Sequence, residues 1–407
     1  MTSYLSRFAL IAFVAVSSLS LAAQANTPAA PAEQAAPSIE ETNANVQSLA
    51  PLPVAVGASH MVLIDFETGT VLAQKNASER VFPSSMSKLM TLYMVFDELK
   101  KGTLTLDATM PVSERAWNMQ GSKMFVPLGE RVKLEDLIRG IAIQSGNDAC
   151  VVVAEGLAGS EEAFAARMTK KAKELGLTGS NFMNASGWPD ENHYVTAWDL
   201  AWLGTALIRN FPEYYHYFSE KEFTYNGIRQ YHRNLLLGDA ALGVDGLKTG
   251  HTEVAGYGIV LSGKDPATGR RLILVVNGLP SIEARKQEGE ALLSWGYRNF
   301  DNVTVVTRDK IVAEAAVWMG RSEKVALKAK DGLVATLPKT GKEGIRMQAK
   351  FDAPIAAPIA ENQEVGTLEI TLPTGETRSV PLVAAQSVEK LGAIARIPRI
   401  IGHWLGL

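Results

Sequence analysis

Three short segments lie far apart in the chain: Ser85-Met86-Ser87-Lys88, Ser145-Gly146-Asn147 and Lys248-Thr249-Gly250. They constrain the fold, because chemistry that needs all three requires a helix start, an interhelical turn and a strand end to meet. Ser85 and Lys88 are three residues apart where an apolar, methionine-rich run begins after Pro83, and this spacing sets both side chains on one helical face. A serine hydroxyl is a poor nucleophile until a base takes its proton, and a neutral lysine amine supplies that base. Lysine is ordinarily protonated at pH 7, so burial and a second cation must lower its pKa, and Lys248 is expected to be that cation. The start of a helix also offers Ser85 free backbone N–H groups for an oxyanion. Ser145 is suited to relaying a proton to a leaving amine, and Asn147 both donates and accepts hydrogen bonds. Lys248 and Thr249 would meet an anionic carboxylate with a charge and a hydroxyl. Gly250 is expected to clear the strand edge for a peptide.

The surrounding pattern supplies those elements. Residues 61–66 and 71–73 read as strands around a tight turn at 67–70. Helical periodicity covers about 85–99, 134–143, 148–158, 160–175, 197–209 and 282–298, and strands are expected at 244–249, 256–263 and 271–277. After about residue 303 short alternating segments punctuated by Pro and Gly predict a small all-β domain. The fold class is therefore α/β (α+β), with a small β domain after it. The triplets alone are cheap: Ser387-Val388-Glu389-Lys390 is a second S-x-x-K and Lys339-Thr340-Gly341 a second K-T-G. These copies stand in reversed order with no S-x-N between them, and are read as chance.

The ends carry their own signals. Arg7, the apolar stretch Phe8–Leu21 and Ala23-Gln24-Ala25 read as a signal peptide over 1–25, which implies export. Residues 26–55, rich in Ala, Pro, Gln and Glu, read as a flexible leader. In the tail, 387–407, Ile397, Ile400, Ile401, Trp404 and Leu405 project to one helical face and Arg396, Arg399 and His403 to the other. Such a helix suits an anionic membrane surface, with Pro398 placed in its first turn. The net charge of −3 gives no reason to expect nucleic acid as a partner. A single cysteine, Cys150, excludes an internal disulfide and is read as a small core residue. The six histidines show no H-E-x-x-H, so no metal or other cofactor is expected.

Beyond the triplets, the stretches 82–91, 144–150 and 245–252, together with Asn184–Gly187, His193–Ala197 and Trp295–Arg298, resemble the serine D-alanyl-D-alanine carboxypeptidases of the low-molecular-mass penicillin-binding proteins. The likeness runs from about residue 57 to the C-terminus. It implies a β-lactamase/transpeptidase-like domain with a central antiparallel sheet flanked by helices over 56–302, then a β-rich domain over 303–386 and a membrane-anchoring tail. It also implies that Ser85 attacks the bond between two D-alanines of a peptidoglycan stem peptide, and that β-lactams acylate the same serine. The backbone N–H groups of Ser85 and His251 would hold the oxyanion, and Arg285 would contact the substrate carboxylate. The implied location is the periplasmic face of the inner membrane. Alternatives are a DD-endopeptidase, expected to lack the extra domain, and a catalytically silent penicillin-binding or scaffold protein. A class A β-lactamase is disfavoured, since no E-x-x-L-N occurs between residues 148 and 247.

Overall fold

The computed structural model describes residues 12–13, 49–50, 56–340 and 343–405. The described residues fall into two compact units, which divide between Asn299 and Phe300.

The first unit is built on one five-stranded sheet. Strands β1 (His60–Asp65), β2 (Val71–Lys75), β3 (Val244–Thr252), β4 (Gly256–Lys264) and β5 (Arg271–Leu279) pair antiparallel in the order β2-β1-β5-β4-β3. β5 is buried from Leu272 to Asn277, and its unbroken apolar run reflects cover on both faces. Gly204 in helix Ala197–Asn210 lies against Val260 and Ile273, whereas Gly296 in helix Ile282–Asn299 lies against Leu63 and Leu272. Successive strand residues point to opposite faces, so the two helices clamp the sheet from both sides.

This unit also holds α1 (Lys88–Lys100), α2 (Leu134–Ala142), α3 (Asn147–Ala158) and α4 (Glu161–Glu174), besides the short helix Glu114–Asn118. α1 is buried nearly all round, from Lys88 to Phe96, as its apolar composition requires. Its first turn is not α-helical: Ser84–Ser87 form a 3-10 turn that runs into α1 at Lys88. The expected helix from Ser85 therefore begins with a tighter turn. Ser84 takes up a left-handed conformation there, with φ 44°.

The second unit is all-β before its terminal helix. A larger sheet joins Arg346–Phe351, Glu364–Thr371, Thr377–Ala384, Lys324–Ala329 and Ile311–Trp318 in that order, and Phe300–Val306 pairs with Leu333–Pro338 in a separate ribbon. Leu327, Ala335, Leu337, Ile370 and Leu382 lie in its core. Ala12–Phe13, within the expected signal peptide, pair with Gln348–Ala349 at one edge. The rest of 1–25 lies outside the described residues, as does the expected leader apart from residues 49–50.

The tail forms helix Ala393–Leu405 with Pro398 inside it rather than in its first turn. Ile394, Ile397 and Ile400 are exposed. Arg396 Nε donates to the Leu391 carbonyl, and Arg399 pairs with Glu323 at 2.9 Å. The side chains of Ile401, Trp404 and Leu405 lie outside the described residues. No helix among the described residues is long and apolar enough to cross a membrane.

Candidate active site

The N-terminus of α1 meets the turn before α3 at a buried lysine. Lys88 Nζ lies 2.9 Å from Ser85 Oγ, 2.8 Å from Asn147 Oδ1 and 2.6 Å from the Ser186 carbonyl oxygen. The Asn147 amide is itself oriented, because its Nδ2 donates to the Gln120 carbonyl at 2.7 Å and so turns its oxygen toward Lys88. A neutral amine has two N–H donors and one lone pair. The two carbonyl-type oxygens can only accept, so they take the two donors and leave the lone pair aimed at the Ser85 hydroxyl. Burial pushes the Lys88 pKa down to about 8, with Cys150 opposing and Arg233 reinforcing the shift.

The Ser186 carbonyl is held in place by a chain of contacts. Asn184 Oδ1 accepts from the backbone N–H groups of Ser186, Gly187 and Trp188 at 3.2, 2.8 and 3.0 Å. Thr91 Oγ1 donates to the Ala185 carbonyl, and Ala185 N–H donates to buried Glu161, which Arg115 pairs from outside. Gly187, at φ 81°, passes so close to the nucleophile turn that a Cβ would collide with the Ser84 carbonyl and Ser87 Oγ.

Lys248 is also buried, with Nζ donating to the Thr249 carbonyl at 3.2 Å. Burial first, and then the charges of Lys88 and Arg233, hold its pKa well below the lysine range. The two lysines are thus coupled by like charge, and Arg233 is a further cation bearing on both. A Cβ on Gly250 would strike Ser84 Oγ and approach Met86 Cγ to 3.0 Å, so glycine also lets β3 close on the nucleophile turn. Thr249 is buried beside it.

The other expected residues are placed less tightly. Ser145 is left-handed, with φ 66°, and its buried Oγ makes no hydrogen bond. His251 is exposed, its ring stacked 3.9 Å from that of Tyr257. Arg285 is buried and donates to the carbonyls of Gly258 and Arg233 at 3.5 and 3.3 Å, and burial lowers its pKa to about 10. Cys150 is a buried free thiol that burial pushes up to about 12, which suits a core residue. The geometry thus joins Ser85, Lys88 and Asn147 by hydrogen bonds, and Lys248 to Lys88 by charge.

Comparison with known proteins shows the family. Residues 45–281 match the family model for D-alanyl-D-alanine carboxypeptidase. The chain belongs to the D-alanyl-D-alanine carboxypeptidase family. Residues 300–390 match the C-terminal domain of penicillin-binding protein 5. The chain is 36% identical to the D-alanyl-D-alanine carboxypeptidase DacA of Escherichia coli, over 89% of this chain and 92% of that one. It is 37% identical to the carboxypeptidase DacD of Salmonella typhimurium, over 88% and 94%. Among solved structures, penicillin-binding protein 5 of Haemophilus influenzae superposes with a TM-score of 0.75 at 36% identity, covering 84% of this chain and all of that one.

Proposed function

We propose that this chain is a serine D-alanyl-D-alanine carboxypeptidase that removes the terminal D-alanine of peptidoglycan stem peptides through an acyl-enzyme on Ser85. The observation that carries the reading is the buried Lys88 amine, 2.9 Å from Ser85 Oγ and lowered to about 8. At that pKa the amine is neutral often enough near pH 7 to take the hydroxyl proton. In this mechanism the Ser85 oxygen bonds to the carbonyl carbon between the two D-alanines while its proton passes to Lys88. The N–H groups of Ser85 and His251 stabilise the oxyanion. Lys88 or Ser145 returns the proton to the departing D-alanine amine as the C–N bond breaks, and water then hydrolyses the ester. Asn147 holds Lys88. Lys248, Thr249 and Arg285 meet the substrate's carboxylate, whose negative charge would restore the proton that burial disfavours on Lys248. Penicillins acylate Ser85 by the same step.

An endopeptidase of cross-links is the nearer alternative. A relative of that name, from Pseudomonas aeruginosa, matches only 52% of this chain at 28% identity, so coverage favours the carboxypeptidase reading. Export through residues 1–25 and anchoring by 387–407 complete the proposal, with the domains at 56–302 and 303–386. The exposed Ile394, Ile397 and Ile400 support a tail that meets an apolar phase. Deleting 388–407 should leave an active enzyme in the soluble fraction, and its recovery with membranes would count against the anchor. The main test compares wild type with Ser85→Ala. Wild type should release D-alanine from a pentapeptide and take up fluorescent penicillin, and the variant should do neither. Undiminished labelling of the variant would move the nucleophile elsewhere.

A further inference from the structure

The second unit has a cationic hollow of its own. A cavity of about 420 Å³ is lined by Arg308, Asp309, Lys328, Lys330, Asn362 and Val383. Val383 forms its floor. It stands between the core residues Leu382 and Ala384, so strand alternation turns it away from that core, yet it is only 2% exposed. Lys328 is its partner across the sheet and shares that outer face, with a side chain 15% exposed. The rim is fixed by backbone bonds. Asp309 N–H donates to the Ala329 carbonyl, Lys330 N–H to that of Pro381 and Asn362 N–H to that of Ala384, each at 2.9 Å. Asp309 and Asn362 turn the chain at φ 62° and 63°, which these two residue types tolerate. The hollow is therefore formed before any ligand arrives.

Its charges do not cancel. Lys328 pairs with Asp309 at 2.8 Å and Lys330 with Glu364 at 3.4 Å. Arg308 forms no ion pair among the described residues. Its charge nevertheless bears on the hollow: the Asp309 carboxyl is held below its ordinary value first by the hydrogen bond from Lys328, then by the charges of Lys328 and Arg308. Three cations against two carboxylates leave one positive charge, on the side chain whose donor fork matches a carboxylate. One surplus charge fits a carboxylate better than a phosphate group, which carries close to two. The tail meets the other end of the same strand, where Arg399 pairs with Glu323 just before Lys324–Ala329. From Lys324 to Lys330 the extended chain covers about 20 Å. That is more than twice the Debye length of about 8 Å at physiological salt, so lipid charge met by the tail does not act on the hollow.

We infer that this hollow is a second binding site for the wall polymer, in which Arg308 takes a free carboxylate of a stem peptide. The choice of polymer rests on the wall-enzyme reading given above; the anion site itself rests on the hollow alone.

The test titrates the full chain, with penicillin present to occupy Ser85, against a soluble disaccharide tetrapeptide and against the same compound with its carboxylates converted to amides. The unmutated chain should bind the free acid with a Kd on the order of 1 mM, and the amide at least about tenfold more weakly. Arg308→Ala should raise the Kd for the free acid about tenfold, the worth of one charged hydrogen bond, while its D-alanine release and melting temperature stay at the unmutated values. Lys350→Ala, which removes a cation paired with Glu369 outside the hollow, should change neither Kd. Equal binding of acid and amide, equal binding by Arg308→Ala, or no saturable binding below about 10 mM overturns the site. A larger effect of Arg308→Ala on binding to anionic phospholipid vesicles than to the wall fragment overturns it too. Penicillin labelling reports separately: its absence in the unmutated chain overturns the acyl-transfer reading, and the Arg308 comparison still decides the hollow.

Discussion

The chain carries the letters of its chemistry twice, and the two copies behave differently. In the first unit Lys88 is buried against Ser85, Asn147 and Ser186, and Lys248 is buried within β3. In the second, Ser387 and Lys390 are both exposed, and the Lys339 side chain is 41% exposed with Asp301 3.6 Å away. An exposed lysine keeps its proton and its water. Burial disfavours the charged form and lowers the Lys88 amine to about 8. Reactivity thus comes from the environment into which the fold carries the triplet.

The largest expected effect breaks this comparison outright. Lys88→Ala should slow acylation by penicillin by a factor on the order of 100 or more, whereas Lys390→Ala should leave it unchanged, as read by the rate of fluorescent penicillin uptake. A similar loss in both variants would show that burial is not what separates the two copies.

The next effect is a pH profile. Lys88 must be unprotonated to act as the base, and its pKa is held at about 8. The second-order acylation rate should therefore rise about tenfold per pH unit below that value and level off above it. A rate already level at pH 6 would contradict a lysine base of that pKa.

A smaller effect compares glycines in the two units. Gly187 and Gly375 both have positive φ, 81° and 86°, but only Gly187 is pressed by other atoms, and nothing lies within 4 Å of a Cβ on Gly375. Gly375→Ala should cost about 1–2 kcal/mol from its backbone alone. Gly187→Ala should cost more and also slow acylation, since it must displace the turn that holds Ser85. Urea midpoints and labelling rates measured together check both. Smallest of all, Ser387→Ala and Lys339→Ala should each lie within about 0.5 kcal/mol of wild type.

Much of this arrangement was legible in the sequence. Apolar runs marked the strands that became β1, β4 and β5, and Pro83 with the methionine-rich run marked the start of α1. The pairing of Ser85 with Lys88 followed from spacing, and the approach of Asn147 followed from its motif. What stayed hidden was carried by backbone atoms or by packing. The carbonyls of Ser186 and Gln120 have no residue signature. Arg233 belongs to no motif, so its charge beside the two lysines went unassigned. The close approach of Gly250 to Ser84 was hidden because a sequence does not show which turn a strand will press against. Pro398 was assigned to a first turn because the tail helix begins earlier than its amphipathic face suggested.

The account's central claim is that Ser85, and no other serine, is acylated. Mass-spectrometric peptide mapping of the penicillin-treated full chain tests it most directly. The penicilloyl mass should appear on the peptide containing Ser85 and on no other; its appearance on the peptide containing Ser145 or Ser387 would contradict the account.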